Sequence, residues 1–239
     1  VRDAAYESLL LSRRRDWHER VARALVEKFA EVAANEPELL AYHFGEAGRA
    51  VEACDYRTKA GDRAASRAAY REATANFTAG IAEAEKLPDA TESKRRQLAL
   101  LLKLGPPYTV IAGAQSAECE RVYSKAAELG AELRDDHGLY RAKWGMWLTA
   151  NFQGKTRLSR DSAAELVTLA ERSNDDELLL EARHCRWSTA YLRGDVIAAR
   201  DDARAGAEAY DFDRHRHLGP VFGGHDPGVC AHIVLGATH

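Results

Sequence analysis

The chain has 239 residues, of which 46% are hydrophobic and 30% charged, so it is globular and long enough for one large or two ordinary domains. A formal net charge of −3 provides no long-range field towards nucleic acid or an anionic membrane surface. No apolar run approaches the roughly 20 residues that span a bilayer.

Only 6 prolines and 17 glycines punctuate a chain rich in alanine and arginine, a balance that favours helices. Strand signals are nearly absent, and no Asn-Gly or Asp-Gly turn separates alternating apolar runs. The opening stretch "VRDAAYESLLLSRRRDW" carries its basic cluster after its apolar patch, the reverse of a secretory signal, which suits a cytoplasmic protein. Over the next turns Trp17, Val21, Leu25 and Phe29 recur every four positions. This spacing predicts a helix burying that stripe, with Arg13, Arg14, Arg15, Arg20 and Arg23 on its outer face rather than on a phosphate backbone. "NEPELLAYHFGEAG" then predicts a helix capped at Asn35 or Glu36, with Pro37 in its first turn.

Residues 55–89 predict a helical pair. Ala60, Gly61 and Ala64 lie on the first helix, Ala73, Phe77 and Gly80 on the second, and Pro88 ends it. A further pair is expected from Arg95 to Leu133, broken around "GPPYTVIAG", with Tyr123 and Ala126 at its aromatic and small positions.

An internal repeat follows. Laid over one another at an offset of 40, residues 136–163 and 176–203 are identical at ten positions, among them Trp147/Trp187, Thr149/Thr189, Gly154/Gly194 and Ala163/Ala203. Chance would supply about two or three such matches, so the duplication is real. Each unit reads as a helix, a glycine break and a second helix. Such a pair cannot bury its apolar face alone and needs stacked neighbours to complete a core. The expectation is an all-α, right-handed superhelix of about ten or eleven antiparallel helices.

Alanine, glycine and aromatic residues at these spacings in 55–89 resemble the tetratricopeptide repeat. The stretches "VRDAAYESLLLSRRRDWHERVARAL", "PELLAYHFGEAGRAVEACDYRTKAGDRAASRAAY" and "LALLLKLGPPYTVIAGAQSAECERVYSKAAEL" further resemble one group of bacterial multidomain proteins. These join a class III adenylate/guanylate cyclase or a LuxR-type DNA-binding domain to a STAND/AAA ATPase module and a tetratricopeptide-like tail. The resemblance implies that residues 1–35 end the ATPase module and that residues 36–209 are the repeats. It also implies a linker over 210–225 and a further, truncated repeat over 226–239. It implies a non-catalytic sensor, since there is no GxxxxGK[ST] phosphate loop and no paired cyclase aspartates. The neighbouring ATPase and cyclase domains of the parent chain would be its internal partners. The alternatives are the regulatory segment of an adenylate cyclase and an oligomerising scaffold.

Two places invite a site. The first helices of the duplicated units present Arg141, Trp144, Leu148 and Asn151, then Glu181, His184, Ser188 and Tyr191, at about one-turn spacing. As an inner groove this mixed row suits a protein or peptide partner or a small-molecule inducer. Alternatively, Trp144 and Tyr191 belong to the core between repeats. The second place is "HRHLGPVFGGHDPGVCAH" (215–232), with His215, His217, His225 and His232. No HExxH or comparable ligand spacing accompanies these histidines, so the expectation is no metal and no cofactor. The stretch reads instead as a solvated linker followed by Asp226-Pro227 opening a helix. The four cysteines, Cys54, Cys119, Cys185 and Cys230, form no CxxC pair and read as reduced structural thiols.

Overall fold

The computed structural model describes residues 10–238, and every regular element among them is a helix. Two compact units are distinguished, one ending at Leu104 and the other beginning at Gly105.

The first unit contains α1 (Leu11–Lys28), α2 (Ala30–Asn35), α3 (Pro37–Glu46), α4 (Ala50–Ser66), α5 (Tyr70–Ala84) and the start of α6 (Ala90–Ala112). Pro37 is the first residue of α3, where its missing N–H leaves no bond unmade. α1 does not bury the expected stripe. Trp17, Val21 and Phe29 are exposed, and the inward face is His18, Ala22 and Leu25 instead. The cause is the partner helix. Leu40 and Phe44 of α3 leave room for the small Ala22, and His18 Nδ1 meets His43 Nδ1 at 2.9 Å. A four-residue spacing fits either of two neighbouring faces equally well, and only the shape of α3 chooses between them.

α4 and α5 form a close pair. Ala60, Gly61 and Ala64 are buried on α4, and Ala73, Phe77 and Gly80 on α5. The Phe77 ring occupies the space where a side chain at Gly61 would begin, because a Cβ there would lie 2.3 Å from the ring. The Asp89 carboxylate then accepts from the backbone N–H groups of Thr91 and Glu92 and opens α6.

α6 corrects a second expectation, since it runs through "GPPYTVIA" with Pro106 and Pro107 inside it, and the break falls at Gly113. Two factors make this tolerable. Residue 105 lacks the Cβ that would clash with the following proline ring, and the same absence admits Tyr123, whose hydroxyl would lie 2.3 Å from a Cβ at Gly105.

The second unit continues with α7 (Ala117–Leu133), α8 (Asp136–Phe152), α9 (Thr156–Ser173), α10 (Asp176–Leu192) and α11 (Val196–Ala209). The single turns α12 (Phe212–His215) and α13 (Leu218–Val221) follow, and α14 (Pro227–Ala237) ends it. From α7 to α11 each helix packs on the next, and α14 returns against α10 and α11. The two duplicated pairs are built alike. Asp135 and Asp175 cap α8 and α10 by accepting backbone N–H bonds, and Gly154 and Gly194 follow them at φ +68 and +77. That left-handed conformation costs glycine little and any other residue strain. Trp147 and Trp187 are both fully buried, and the Trp147 indole donates to Thr189 Oγ1 at 2.9 Å, joining one pair to the next.

The stretch 210–225 is a connector that is solvated only in part, exposed at residues 211–214, 216, 217, 220 and 224 but anchored by buried side chains. Leu218 and Phe222 lie in the same apolar cluster as Tyr140, Trp144, Trp147 and Trp187. The stretch carries apolar surface to bury, and several of its backbone N–H groups are bonded within the two single turns and by Asp211 and His215.

Gly61 offers a direct test of the ring-on-glycine packing. Alanine ordinarily stabilises a helix interior by about 1 kcal/mol relative to glycine. Here Phe77 is only 1% exposed and cannot swing into solvent, so overpacking dominates. Gly61→Ala is expected to lower stability by about 1–2 kcal/mol, read as a reduced urea midpoint at unchanged slope.

Candidate functional site

The row proposed as an inner groove is divided by the fold. Trp144, Leu148, Glu181 and His184 are buried. Arg141, Asn151 and Ser188 are half-buried, and Tyr191 is exposed. The large residues of α8 and α10 face the core because Phe222 of the connector fills the space before them, with ring centroids 5.1 Å from Trp144 and 6.3 Å from Tyr140.

Within that interior lies a cluster of imidazole, carboxylate and thiol groups. His184, near the middle of α10, sits between the rings of Trp147 and Trp187 at 6.1 and 5.3 Å. Its Nδ1 lies 3.2 Å from the Glu181 carboxylate, one turn earlier on the same helix. Glu181 is 0% and His184 2% exposed, so this polar pair is secluded from water.

His225 and Cys230 arrive from the end of the chain. Gly223 and Gly224, both at positive φ, turn the connector back. Gly224 N–H donates to the Gly219 carbonyl at 2.7 Å, and His225 N–H donates to Phe222 at 3.1 Å. Asp226 caps α14 by accepting from Val229 N–H at 2.9 Å, and the Tyr210 hydroxyl donates to its other oxygen at 2.8 Å. Tyr210 also lies over Gly228, where a Cβ would be 2.6 Å away. These contacts fix the first turn of α14 and set Cys230 beside the two imidazoles. One ligand atom each from His184, His225 and Cys230 lie within 4.8 Å of one another.

Electrostatics distinguish this thiol from the others. Burial pushes the Cys230 thiol up, but His184 and His225 outweigh it and bring it from 9.0 down to about 7. Burial likewise opposes a charge on His184, yet Cys230 and Glu181 overcome it and raise the imidazole to about 9. Burial raises the Glu181 carboxyl, against the opposing pull of His184 and Trp144. At neutral pH the arrangement therefore favours a thiolate beside an imidazolium. By contrast, burial raises Cys54 and holds Cys185 far above the ordinary range, so those two are inert.

Of the four tail histidines only His225 joins this cluster. His215 is buried and accepts the Asp211 N–H at 2.8 Å. His217 is exposed beside Glu177 at 3.2 Å, and His232 is exposed. The tail histidines by themselves make no ligand set; the structure adds His184, 41 residues before His225, to His225 and Cys230. Sequence spacing contains no trace of that pairing. The one local signal was Asp226-Pro227, which places Cys230 in a first helical turn, where the helix dipole favours an anion.

No family model matches the chain. An uncharacterised protein of Rhizobium meliloti (strain 1021) is 26% identical over 232 residues, which is 96% of this chain and 22% of that protein. The chain thus spans about a fifth of the length of this curated relative. Among solved structures, BtubC (BKLC) from P. vanneervenii superposes with a TM-score of 0.52 at 14% identity, covering 97% of this chain and 90% of that one. That likeness is one of fold. No helix among the described residues is long and apolar enough to cross a membrane.

The lowered thiol makes a pH-dependent prediction. With a chelator present, alkylation of Cys230 by iodoacetamide, followed by peptide mass spectrometry, is expected to be half-maximal near pH 7 and to fall as the pH drops through that value. His225→Ala removes one stabilising imidazole and is expected to shift the midpoint upward. A wild-type midpoint at the ordinary thiol value would contradict the assigned electrostatics.

Proposed function

We propose that this chain is a tetratricopeptide-like interaction and sensor segment of a longer bacterial signalling protein, with no catalytic activity of its own. Engagement of a protein or peptide partner, or of a small-molecule inducer, would bias an attached ATPase module and through it a cyclase or DNA-binding output. A coupling of about 1–3 kcal/mol is sufficient for such regulation.

The observation that carries this reading is an exposed apolar side chain repeated with the duplication. Phe152 and Leu192 hold the same place 40 residues apart, at the ends of α8 and α10, and are 52% and 57% exposed. Leu158 in α9 and Val196 and Ile197 in α11 add further exposed apolar side chains just beyond the two glycine turns. Exposed apolar side chains gathered at corresponding turns of a helical array suit partner docking. The buried members of the presumed groove row therefore lose their role as contact residues, and Asn151 and Tyr191, nearer these turns, retain it. The tetratricopeptide-like packing of Gly61 against Phe77, and the much greater length of the Rhizobium relative, support a repeat segment within a larger chain.

The same exposed side chains also suit an oligomerising scaffold, and two measurements separate the readings. The purified chain is expected to show no ATP or GTP hydrolysis and no cyclic nucleotide formation; turnover that co-purifies with the chain would defeat the non-catalytic reading. Sedimentation over a concentration series is expected to show a monomer. Self-association abolished by Leu192→Asp with Ile197→Asp would establish the scaffold instead.

A further inference from the structure

We propose that His184, His225 and Cys230 form a three-ligand site for a thiophilic divalent cation of the zinc class. The inference goes beyond the interaction role and does not depend on it.

The donor set comes first. Two imidazoles and one thiol offer nitrogen and sulfur but no oxygen, which suits zinc and its neighbours and disfavours magnesium and calcium. A tetrahedral zinc ion with bonds of about 2.0–2.1 Å to nitrogen and 2.3 Å to sulfur sets its ligand atoms roughly 3.3–3.6 Å apart. The three donor atoms here lie within 4.8 Å of one another, so a shift of about an ångström closes them on an ion.

Orientation comes second. Histidine ligands of zinc ordinarily give their other ring nitrogen to a carboxylate, which fixes the tautomer and ring plane. Glu181 supplies that carboxylate to His184 Nδ1 at 3.2 Å, on the same helix and secluded from water. Nε2 is then the nitrogen left for the ion. The surroundings come third: His225 lies 6.1 Å from the Trp144 ring and 6.2 Å from His184, so aromatic rings limit how far either imidazole can turn. His225 and Cys230 are only half-buried, which provides an entry path. Binding releases to solvent the proton shared between His184 and Cys230, freeing Nε2 and the thiolate for the ion, and joins α10 to the connector and α14. The fourth tetrahedral position stays open to water or to a donor from a partner.

Cobalt(II) is the probe, because its thiolate bond gives a charge-transfer band in the near ultraviolet. The full chain, stripped with chelator, is titrated with cobalt(II) and then with zinc. The expected result is a band saturating at one equivalent per chain, bleached by zinc and absent in Cys230→Ser. His225→Ala, on the connector, is expected to weaken cobalt binding at least ten-fold with the far-ultraviolet helical signal retained. A folded wild-type chain without the band would overturn the proposal and leave a metal-free thiolate–imidazole cluster. A band that persists in Cys230→Ser would overturn it equally, by placing the ion elsewhere.

Discussion

An aromatic ring lying where a glycine lacks its Cβ is the contact on which this structure depends. Phe77 takes that place over Gly61, Tyr123 over Gly105 and Gly145, Trp187 over Gly206, and Tyr210 over Gly228. Each contact lets two backbones approach more closely than any larger residue would allow, and the buried rings of Phe77, Tyr123 and Trp187 each contribute about 2–3 kcal/mol of apolar transfer. Surface ion pairs such as Lys103 with Asp62 and Lys143 with Glu165 accompany these contacts. At about 0–1 kcal/mol each they are secondary to the buried rings.

The last of these contacts connects packing to chemistry. Tyr210 holds the start of α14 both by its ring on Gly228 and by its hydroxyl on Asp226. Without that anchor Cys230 would not be held beside His184. The same connector supplies Phe222 to the core against Trp144 and Tyr140. A segment inserted between helices therefore performs two functions: it completes the apolar interior of the second unit, and with the first turn of α14 it brings His225 and Cys230 to the buried Glu181–His184 pair. Glu181 and His184 stand in positions matching Arg141 and Trp144 of the preceding pair, so the duplication supplied the framework and divergence supplied the polar pair.

Burial explains how the surface divides. In α8 and α10 the aromatic residues Trp144, Trp147 and Trp187 turn inward, and the exposed apolar residues Phe152 and Leu192 sit at the ends of the helices, just before Gly154 and Gly194. A groove lined by the middle of these helices would require removing the connector from its seat.

Local chemistry in the chain was sufficient for much of this. Helical periodicity, the Asp226-Pro227 helix start, the glycine breaks at 154 and 194, and the 40-residue duplication are all short-range or repeated signals, legible because each acts within a few residues. Three features required the tertiary structure. α1 buries His18 and Ala22 rather than Trp17 and Val21, because the shape of α3 selects between adjacent faces. α6 continues through Pro106 and Pro107, because Gly105 relieves the clash and Tyr123 fills the space. The meeting of His184 with His225 and Cys230 arises from the fold of 210–225, whose path is set by where Phe222 and Tyr210 find cover. Sequence alone marked most of the long helices; how far α6 runs past its prolines, the helical turns within 210–225 and which side chains meet across more than 40 residues were decided by packing, because no local pattern encodes the shape of the surface on which a distant segment comes to rest.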